Sequence, residues 1–372
     1  MNNNSTSLSG QWLGTFDGTS PGFAFLSIEP DRPTTGIATI VQDAPIPPSR
    51  LEFQVNLNGK NVSADLIQTL AFNIEDGDLV PAETYHEQNE DVVFDPSISI
   101  VGSLSENTLS GTWSGHNATS PFSLELIEPN KATNADYTLT WLDYKKYIQE
   151  NTAELSGILY RGQTNSTWNL STSLHRSCRF NHLRYVREDL PRLEHQINAV
   201  SDRTFNLSNI DDFGTFLSLA QHHGYPTPLL DWTKSPYIAA FFAFDTPSPE
   251  SDFSRIYIFD SDSWTADTTQ SNRILDPTPN LSIKELPARN NPRHVPQQSV
   301  HSYTNIHNIE WFIRYFEKRK QRKYLTTVDI PQQERLTINR DLELMGITNA
   351  SLFPGIDGIC KSLRKSHFPF SQ

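Results

Sequence analysis

The sequence predicts a two-domain α+β protein in which an antiparallel, up-and-down β-barrel precedes a mixed α/β domain. Its 372 residues exceed the length of an ordinary domain, about 100–200 residues. The motif at residues 8–14 returns at residues 109–115, and from residue 138 the apolar spacing changes from strand-like to helical. We therefore assign residues 1–132 to the barrel and residues 138–372 to the second domain.

The repeated motif indicates that the first domain closes on itself. LSGQWLG and LSGTWSG are each followed by TSP and then by an apolar segment ending in IEP. Two copies do not make a solenoid, whose units recur about every 20–50 residues, but they suit the first and last hairpins of a closed sheet. Between them, Leu51, Phe53 and Val55 alternate with polar residues, which is typical of a strand with one buried face. Further short strands are expected at residues 36–41, 62–66 and 97–101.

Closing a sheet into a barrel removes its exposed edges. Trp12 and Trp113 occupy matching places in the two motif copies and are candidates to plug the barrel ends. In architecture alone, the domain resembles the barrels of lipocalins and avidins. Such a barrel is either packed solid with side chains or holds one small ligand. The first domain is therefore either a scaffold or protein-binding module, or a site for a small molecule.

Composition argues against several classes of protein. The chain has no run of 18 apolar residues and no basic, apolar leader at its start, which argues against a membrane span and against export. Its two cysteines, Cys178 and Cys360, are too few for a disulfide scaffold or a cysteine-rich zinc site. We expect a soluble, cytoplasmic protein that does not bind membranes.

The net charge of −13 originates in the first domain. Residues 1–130 contain 17 acidic and 3 basic residues, whereas the remainder contains 26 acidic and 27 basic residues. An acidic domain repels polyanions, but the nearly neutral remainder is free to bind a phosphate or a dinucleotide.

The second domain contains an arginine directly after a predicted short strand. A helix is predicted over residues 138–150, and a short apolar strand then leads into YRGQ at residues 160–163. Arg161 is therefore expected at an exposed strand end, where its planar guanidinium suits a phosphate, a pyrophosphate or a carboxylate. An ion pair with a core carboxylate is the alternative. Arg176, in the run W-x-L-x-TSL-x-R, adds a second cation nearby in sequence.

The segment YPTPLLDWTKSPYIAAFFAF, residues 225–244, predicts a short strand, a polar corner and a helix that begins at Pro236 with Ser235 as its N-cap. Free N–H groups at such a helix start suit an anionic ligand. Asp231 lies on the apolar strand, where burying a carboxylate is unfavourable in free energy unless the group is paired or takes part in binding or catalysis.

A preceding helix is expected to begin at Asp212 and to end at His222-His223-Gly224, where glycine supplies the C-terminal cap. Adjacent histidines point apart on a helix, and the other ligands of a zinc set are missing. We therefore predict no metal site here.

Five segments in this order resemble the FRG domain, which is named for a Phe/Tyr-Arg-Gly tripeptide. They are YRGQ, W-x-L-x-TSL-x-R, LAQHHGYPTPLLDWTKSPYIAAFFAF, PRHVPQQSV and DLELMGITNASLFPGIDGI. The resemblance covers residues 138–365. Pro228 stands where many relatives place a basic residue, so a phosphate contact from that side chain is not expected.

The FRG pattern is itself similar to the ADP-ribosyltransferase superfamily, which implies a mixed α/β fold with a split central sheet and PRHVPQQSV as a strand. It also implies NAD as a substrate, with no tightly bound cofactor. Catalytic roles then fall to Arg161, His222, Asp231 and Gln298, with Gln298 near the ribose in place of the superfamily's glutamate. Dinucleotide-binding roles fall to Tyr160, Arg161, Gly162, Gln163, Arg176, Thr233 and Ser235.

We therefore predict NAD-dependent ADP-ribosyl transfer or NAD cleavage, in the context of an intracellular toxin or antiphage effector. A non-enzymatic module that binds NAD or another nucleotide is the main alternative. An RNA-modifying enzyme is the third.

A basic cluster near the end of a helix predicted over residues 306–324 would contact the nucleic acid. It comprises Arg314, Lys318, Arg319, Lys320, Arg322 and Lys323. The same cations also oppose the negative end of the helix dipole, which is a sufficient structural reason for them. Glu310, four residues before Arg314, is interpreted as one half of a solvated helix pair.

Overall fold

A computed structural model describes residues 7–17, 21–42, 47–73, 75–116, 118–128, 132–151, 157–286 and 291–368. Its strands form two sheets, one closed and one open. Among the described residues, no helix combines the length and apolar character needed to cross a bilayer.

The closed sheet is an eight-stranded antiparallel barrel in which each strand pairs with its neighbours in the chain. The ring closes where Gln11 of the first strand pairs with Ile127 of the last. The barrel strands are β1 (Gly10–Phe16), β2 (Gly22–Ile28), β3 (Thr35–Gln42), β4 (Ser49–Asn58), β5 (Asn61–Phe72), β7 (Ser99–Ser105), β8 (Thr108–Ser114) and β9 (Thr119–Ile127). A short strand, β6 (Leu79–Pro81), pairs with β5 outside the ring and leads into α1 (Ala82–Gln88). The barrel predicted from the repeated motif is confirmed.

Inward-facing side chains follow the period expected of a strand with one buried face. In β4, Leu51, Phe53 and Val55 are buried, as their alternation predicts. Trp12 is buried in the barrel core, and its indole N–H donates to the carbonyl of Leu8 at 3.0 Å.

The open sheet has seven strands, and only its β10–β16 pair is parallel. In spatial order they are β10 (Tyr137–Thr138), β16 (Leu325–Pro331), β13 (Phe253–Asp260), β11 (Ile158–Gln163), β12 (Leu229–Thr233), β15 (Ser299–Thr304) and β14 (Leu281–Lys284). The central strands β11 and β12 are bridged at a single pair, Tyr160 with Thr233. Because the pairing does not continue, the two strands diverge and leave space between them.

Helices surround this sheet. They are α2 (Trp141–Asn151), α3 (Ser173–Arg176), α4 (His182–Arg184), α5 (Leu190–Val200), α6 (Ile210–His222), α7 (Pro236–Phe244), α8 (Ser261–Asp267), α9 (His294–Gln297), α10 (Ile309–Lys320), α11 (Arg335–Leu344), α12 (Asn349–Leu352) and α13 (Ile356–His367). A π-helical turn, Tyr185–Asp189, joins α4 to α5, and a 3₁₀ turn, Gln332–Glu334, precedes α11. The predicted domain boundary falls between β9 and β10, and we propose it as the boundary.

Helix α7 lies directly against β11. It begins as predicted, with the Ser235 hydroxyl accepting a hydrogen bond from the Ile238 N–H at 3.3 Å. A Cβ on Gly162 of β11 would collide with the carbonyl oxygen of Ala239 in this helix. The glycine of the Tyr-Arg-Gly tripeptide is thus required by the close approach of helix and strand.

Two predicted element boundaries are wrong. Arg161 is not at a strand end, because β11 continues through Gln163 and pairs with β13 along its whole length. Asn209 rather than Asp212 caps α6, since the Asn209 side chain accepts from the N–H groups of Asp211 and Asp212. Asp212 instead pairs with Arg203.

Two further expectations in the last third of the chain are corrected. PRHVPQQSV is not one strand, because α9 occupies His294–Gln297, and Gln298 ends this helix with a φ of 48° before β15 starts. Glu310 is not solvated, since its side chain is fully buried beside Arg255 and bonds the hydroxyl of Thr133. Burial raises the pKa of this carboxyl, although Thr133 and Arg255 oppose the shift.

The barrel packs against the open-sheet region through a polar interface. The carboxylate of Glu29, at the end of β2, accepts from the N–H groups of Phe180 and Asn181 at 2.7 and 2.9 Å. It also accepts from Arg179 and Arg184 at 3.1 and 2.6 Å. Four donors of the second region therefore converge on one barrel carboxylate.

Two buried histidines lie at or near this interface. The His307 ring nitrogen Nδ1 contacts the side-chain oxygen of Gln11 in β1 at 2.9 Å, and His182 contacts the hydroxyl of Tyr303 at 2.6 Å. Burial lowers the pKa of both rings to about 4 from the usual 6.5. Both are therefore neutral in the folded protein at neutral pH.

We expect acidification to destabilise the fold. Below pH 6.5 the unfolded chain takes up protons on these two rings while the folded chain does not, so stability falls as the pH falls from about 6.5 toward about 4. Each histidine accounts for about 1 kcal/mol between pH 7 and 5.5. Urea unfolding at the two pH values measures the change. An equal free energy of unfolding at both would contradict the prediction.

Candidate functional site

The diverging strands β11 and β12 open onto a cavity of about 1000 Å³. Its wall is completed by the end of α6, by the start of β15 and by Phe353 after α12. Eight of the sequence-predicted site residues line it: Tyr160, Arg161, Gly162, Gln163, Arg176, His222, Asp231 and Thr233. Residues from distant parts of the chain thus line one cavity.

Arg161 is half-buried in the middle of β11. Its Nη1 donates to the main-chain carbonyl of Asp231 at 2.7 Å, so the guanidinium is anchored to the neighbouring strand without using the Asp231 carboxylate. Its Nε–H is buried and has no hydrogen-bond acceptor among the described residues. Burial lowers the pKa of Arg161 while the charge of Asp231 opposes that shift. The group remains a cation, since an arginine keeps its proton in proteins.

Asp231 exposes 54% of its side chain, although its neighbours Leu230 and Trp232 are buried. Successive side chains of a strand point to opposite faces, so the exposed side chain of Asp231 points away from the buried side chains of Leu230 and Trp232. Oδ1 of Asp231 accepts from the amide of Gln221 at 2.6 Å and lies 3.4 Å from Nε2 of His301. The carboxylate is therefore held in place while it stays open to the cavity.

His301 is a site residue that the sequence did not reveal. It is buried, and it lies opposite Asp231 in the β12–β15 register. Burial lowers the pKa of this ring and Asp231 opposes the shift. The signal that would have found it is the pairing of β12 with β15, which the sequence alone does not specify.

Two further groups in the wall were not predicted as site residues. Trp168 exposes about half of its surface, and its carbonyl accepts from the amide of Gln163 at 2.7 Å. The guanidinium of Arg293 lies over the ring of Phe353, 5.0 Å from its centroid. An exposed indole and a third arginine in the wall add to the affinity for flat and anionic groups.

The remaining predicted residues are placed as follows. Burial lowers the pKa of His222, as do the nearby charges of Arg293 and His223. The Arg176 guanidinium donates to the carbonyl of Ser171 at 2.6 Å. Ser235 and Gln298 are not among the residues that line the cavity, where Gln297 stands instead.

Gln297 has a structural task in this wall. The main-chain carbonyl of Gln297 accepts from the hydroxyl of Thr233 at 2.7 Å. The side-chain amide of Gln297 donates to the main-chain carbonyl of Leu352 at 2.9 Å. It ties β12 to α12.

The basic cluster of α10 lies outside the cavity wall. Several of its members pair with acidic residues of the chain: Arg314 and Lys323 with Asp136, and Arg322 with Asp267. Lys318, Arg319 and Lys320 are exposed. Contact with nucleic acid through this cluster stays a prediction.

Two solved structures and one family model are similar to parts of this chain. The solved structure of the fatty acid transporter REP1-NXSQ is similar at 5% identity, with a TM-score of 0.17, and covers 32% of this chain and 96% of its own. A mutant of the fluorescent protein UnaG is similar at 11% identity, with a TM-score of 0.18 and the same coverage. No curated protein sequence matches the chain. Residues 156–252 match the model of the FRG domain family, a segment that includes Arg161, His222 and Asp231, and the chain therefore contains an FRG domain.

Proposed function

We propose that the cavity binds NAD and that the protein cleaves the bond between nicotinamide and ribose, transferring ADP-ribose to an acceptor or to water. One observation carries the proposal: the guanidinium of Arg161 and the exposed carboxylate of Asp231, on neighbouring strands, face the same large cavity. We further propose that the open sheet is of the ADP-ribosyltransferase kind.

The charge of the wall supports a ligand with two phosphates. Arg161, Arg176 and Arg293 line the cavity, and Asp231 is the acidic residue among the described lining residues. Guanidinium groups bind phosphate oxygens through paired hydrogen bonds. The Nε–H of Arg161 has no hydrogen-bond acceptor among the described residues, so this part of the guanidinium is not used within the described fold.

The exposed indole of Trp168 suits a planar ring. A base or a pyridine ring stacks on an aromatic side chain with a gain of about 1–3 kcal/mol. A cavity of about 1000 Å³ lies at the upper end of the usual range for small-molecule sites, which leaves room for both halves of a dinucleotide.

The carboxylate of Asp231 supports catalysis. When the bond between ribose C1′ and the pyridinium nitrogen breaks, nicotinamide leaves with the electron pair and positive charge develops on the ribose. A fixed carboxylate stabilises that charge. A hydroxyl of the acceptor or of water then bonds to C1′ and releases its proton, which Asp231 can accept. Consumption of NAD in this way would suit an intracellular toxin or an antiphage effector.

Binding without turnover is the second candidate. It is favoured by Gln297, which is a neutral amide and carries no charge; its side-chain N–H group donates to the carbonyl of Leu352. Gln298 lies outside the wall, so among the described lining residues only Asp231 could offset positive charge.

Incubation of the full chain with NAD separates these candidates. We expect nicotinamide release, measured by chromatography, and saturable NAD binding, measured by calorimetry. Arg161→Ala should weaken NAD binding about 10- to 100-fold, the value of a hydrogen bond between charged groups.

Arg192→Ala, on the exposed part of α5, is the matched control and should bind NAD normally. Saturable binding without nicotinamide release supports the second candidate. No binding by the wild-type chain contradicts both candidates.

A further inference from the structure

The β-barrel encloses a second cavity, of about 210 Å³, that is separate from the candidate NAD site. All eight strands contribute to its lining, which is almost entirely aliphatic and aromatic. We propose that this lumen binds an uncharged, largely apolar small molecule that has a hydroxyl or carbonyl oxygen.

The volume sets the size of the ligand. An apolar cavity of about 150 Å³ lined by similar side chains holds one benzene molecule. A lumen of about 210 Å³ therefore accommodates a fused bicyclic ring or a branched chain of about ten carbon atoms. The barrel is not packed solid, which favours the small-molecule site over the scaffold among the alternatives that the sequence leaves open.

Two polar atoms in the lining indicate that the occupant has an oxygen. The indole N–H of Trp113 in β8 and the hydroxyl of Thr69 in β5 are both buried, and neither has a hydrogen-bond partner among the described residues. Leaving a buried donor unsatisfied costs about 1–3 kcal/mol, so native structures rarely keep one without a reason. A ligand oxygen beside Trp113 would accept its N–H, and the Thr69 hydroxyl can donate to or accept from a ligand hydroxyl.

The lining also excludes a charged ligand. Among the described lining residues, Asp95 is the charged one, and no lysine, arginine or histidine is present to pair with an acid. The carboxylate of Asp95 is already engaged, since it accepts from the N–H groups of Ser97 and His116 at 3.0 and 2.6 Å. Burying an unpaired charge in such a lumen is strongly unfavourable.

The two ends of the barrel differ. Trp12 and Leu8 are buried at one end, where the indole donates to the main chain. At the other end, Val93 lines the cavity and is itself 72% exposed. We propose that a ligand enters at this end, beside Val93.

Calorimetry of the full chain with three probes tests the proposal. The probes are 2-naphthol, which has one hydroxyl, its apolar analogue naphthalene, and its charged analogue 2-naphthoate. We expect 2-naphthol to bind in a saturable manner and more tightly than either analogue. Trp113→Phe should weaken 2-naphthol binding about 3- to 10-fold, since it removes one hydrogen-bond donor, and should weaken naphthalene binding by a smaller factor.

Two matched controls accompany this variant. Trp311→Phe, on α10 and outside both cavities, should bind 2-naphthol normally. Thr69→Val should weaken binding, whereas Thr112→Val, on the exposed face of β8, should not.

A bulky substitution tests whether 2-naphthol binds inside the lumen. Ala64→Phe, in the lumen wall, should abolish binding of 2-naphthol. Binding that persists in a folded Ala64→Phe protein overturns the proposal, as does the absence of saturable binding in the wild type. If Ala64→Phe does not fold, equal affinities of Trp113→Phe and Trp311→Phe for 2-naphthol overturn it by themselves.

Discussion

We expect the Glu29→Ala variant to lose about 3 kcal/mol of unfolding free energy, the lower end of the cost of breaking a buried ion pair. Glu29 is only 4% exposed and is the acceptor for two main-chain N–H groups and two arginines. Alanine leaves the N–H groups of Phe180 and Asn181 without these bonds. We expect a loss of unfolding free energy at the lower end of this range because Arg184 keeps its ion pairs with Asp31 and Glu188. Urea denaturation measures the difference.

Two further variants show which part of this contact matters. Glu29→Gln keeps an oxygen for the main-chain donors but removes the charge, so its loss should be smaller than that of alanine. Arg32→Ala removes the exposed pair with Glu188, whose side chains are 46% and 48% exposed, and should cost about 0–1 kcal/mol. If Glu29→Ala and Arg32→Ala lose equal stability, the buried carboxylate does not hold the barrel to the second region.

The Asp231→Asn variant should release nicotinamide about 10²- to 10³-fold more slowly than the wild type while its affinity for NAD changes by less than about threefold. Removing one preorganised charge-stabilising group from an active site has an effect of this size. Asparagine keeps an oxygen that can accept from Gln221, so the change removes charge and leaves the local bond intact. Single-turnover kinetics and calorimetry measure the two quantities separately.

Glu285→Gln is the matched control for this change. Glu285 is an exposed carboxylate paired with Lys234 and does not line the cavity, so its loss should leave both quantities unchanged. A wild-type rate in Asp231→Asn would show that this carboxylate does not offset charge on the ribose.

Much of the fold could be predicted because its signals are local. The repeated LSG-x-W motif indicated closure, and β1 does pair with β9. Ser235 and Pro236 marked the start of α7, and Gly224, with a φ of 83°, follows the end of α6. The start of α7 and the end of α6 depend on residues within a few positions of one another, so the sequence carries them directly. Closure of the barrel was indicated by a motif that recurs 101 residues later.

Two of the expectations that were wrong concern interactions between distant segments. Arg161 lies within a strand because β13, nearly a hundred residues later in the chain, pairs with it at Tyr257. Glu310 is buried because Arg255 and Thr133 meet it in space. A spacing of four residues along one helix could not reveal either partner.

The sequence by itself determined the closed barrel, the start of α7 and the FRG motif, and it named eight residues that line the cavity. Only the tertiary structure decided that Arg161, Asp231 and His301 face one space, and that the barrel is hollow. The physical reason is the range of the interactions involved. Capping and alternation act between near neighbours, whereas the shape of a cavity depends on the register between distant strands and on how completely side chains fill the volume they enclose.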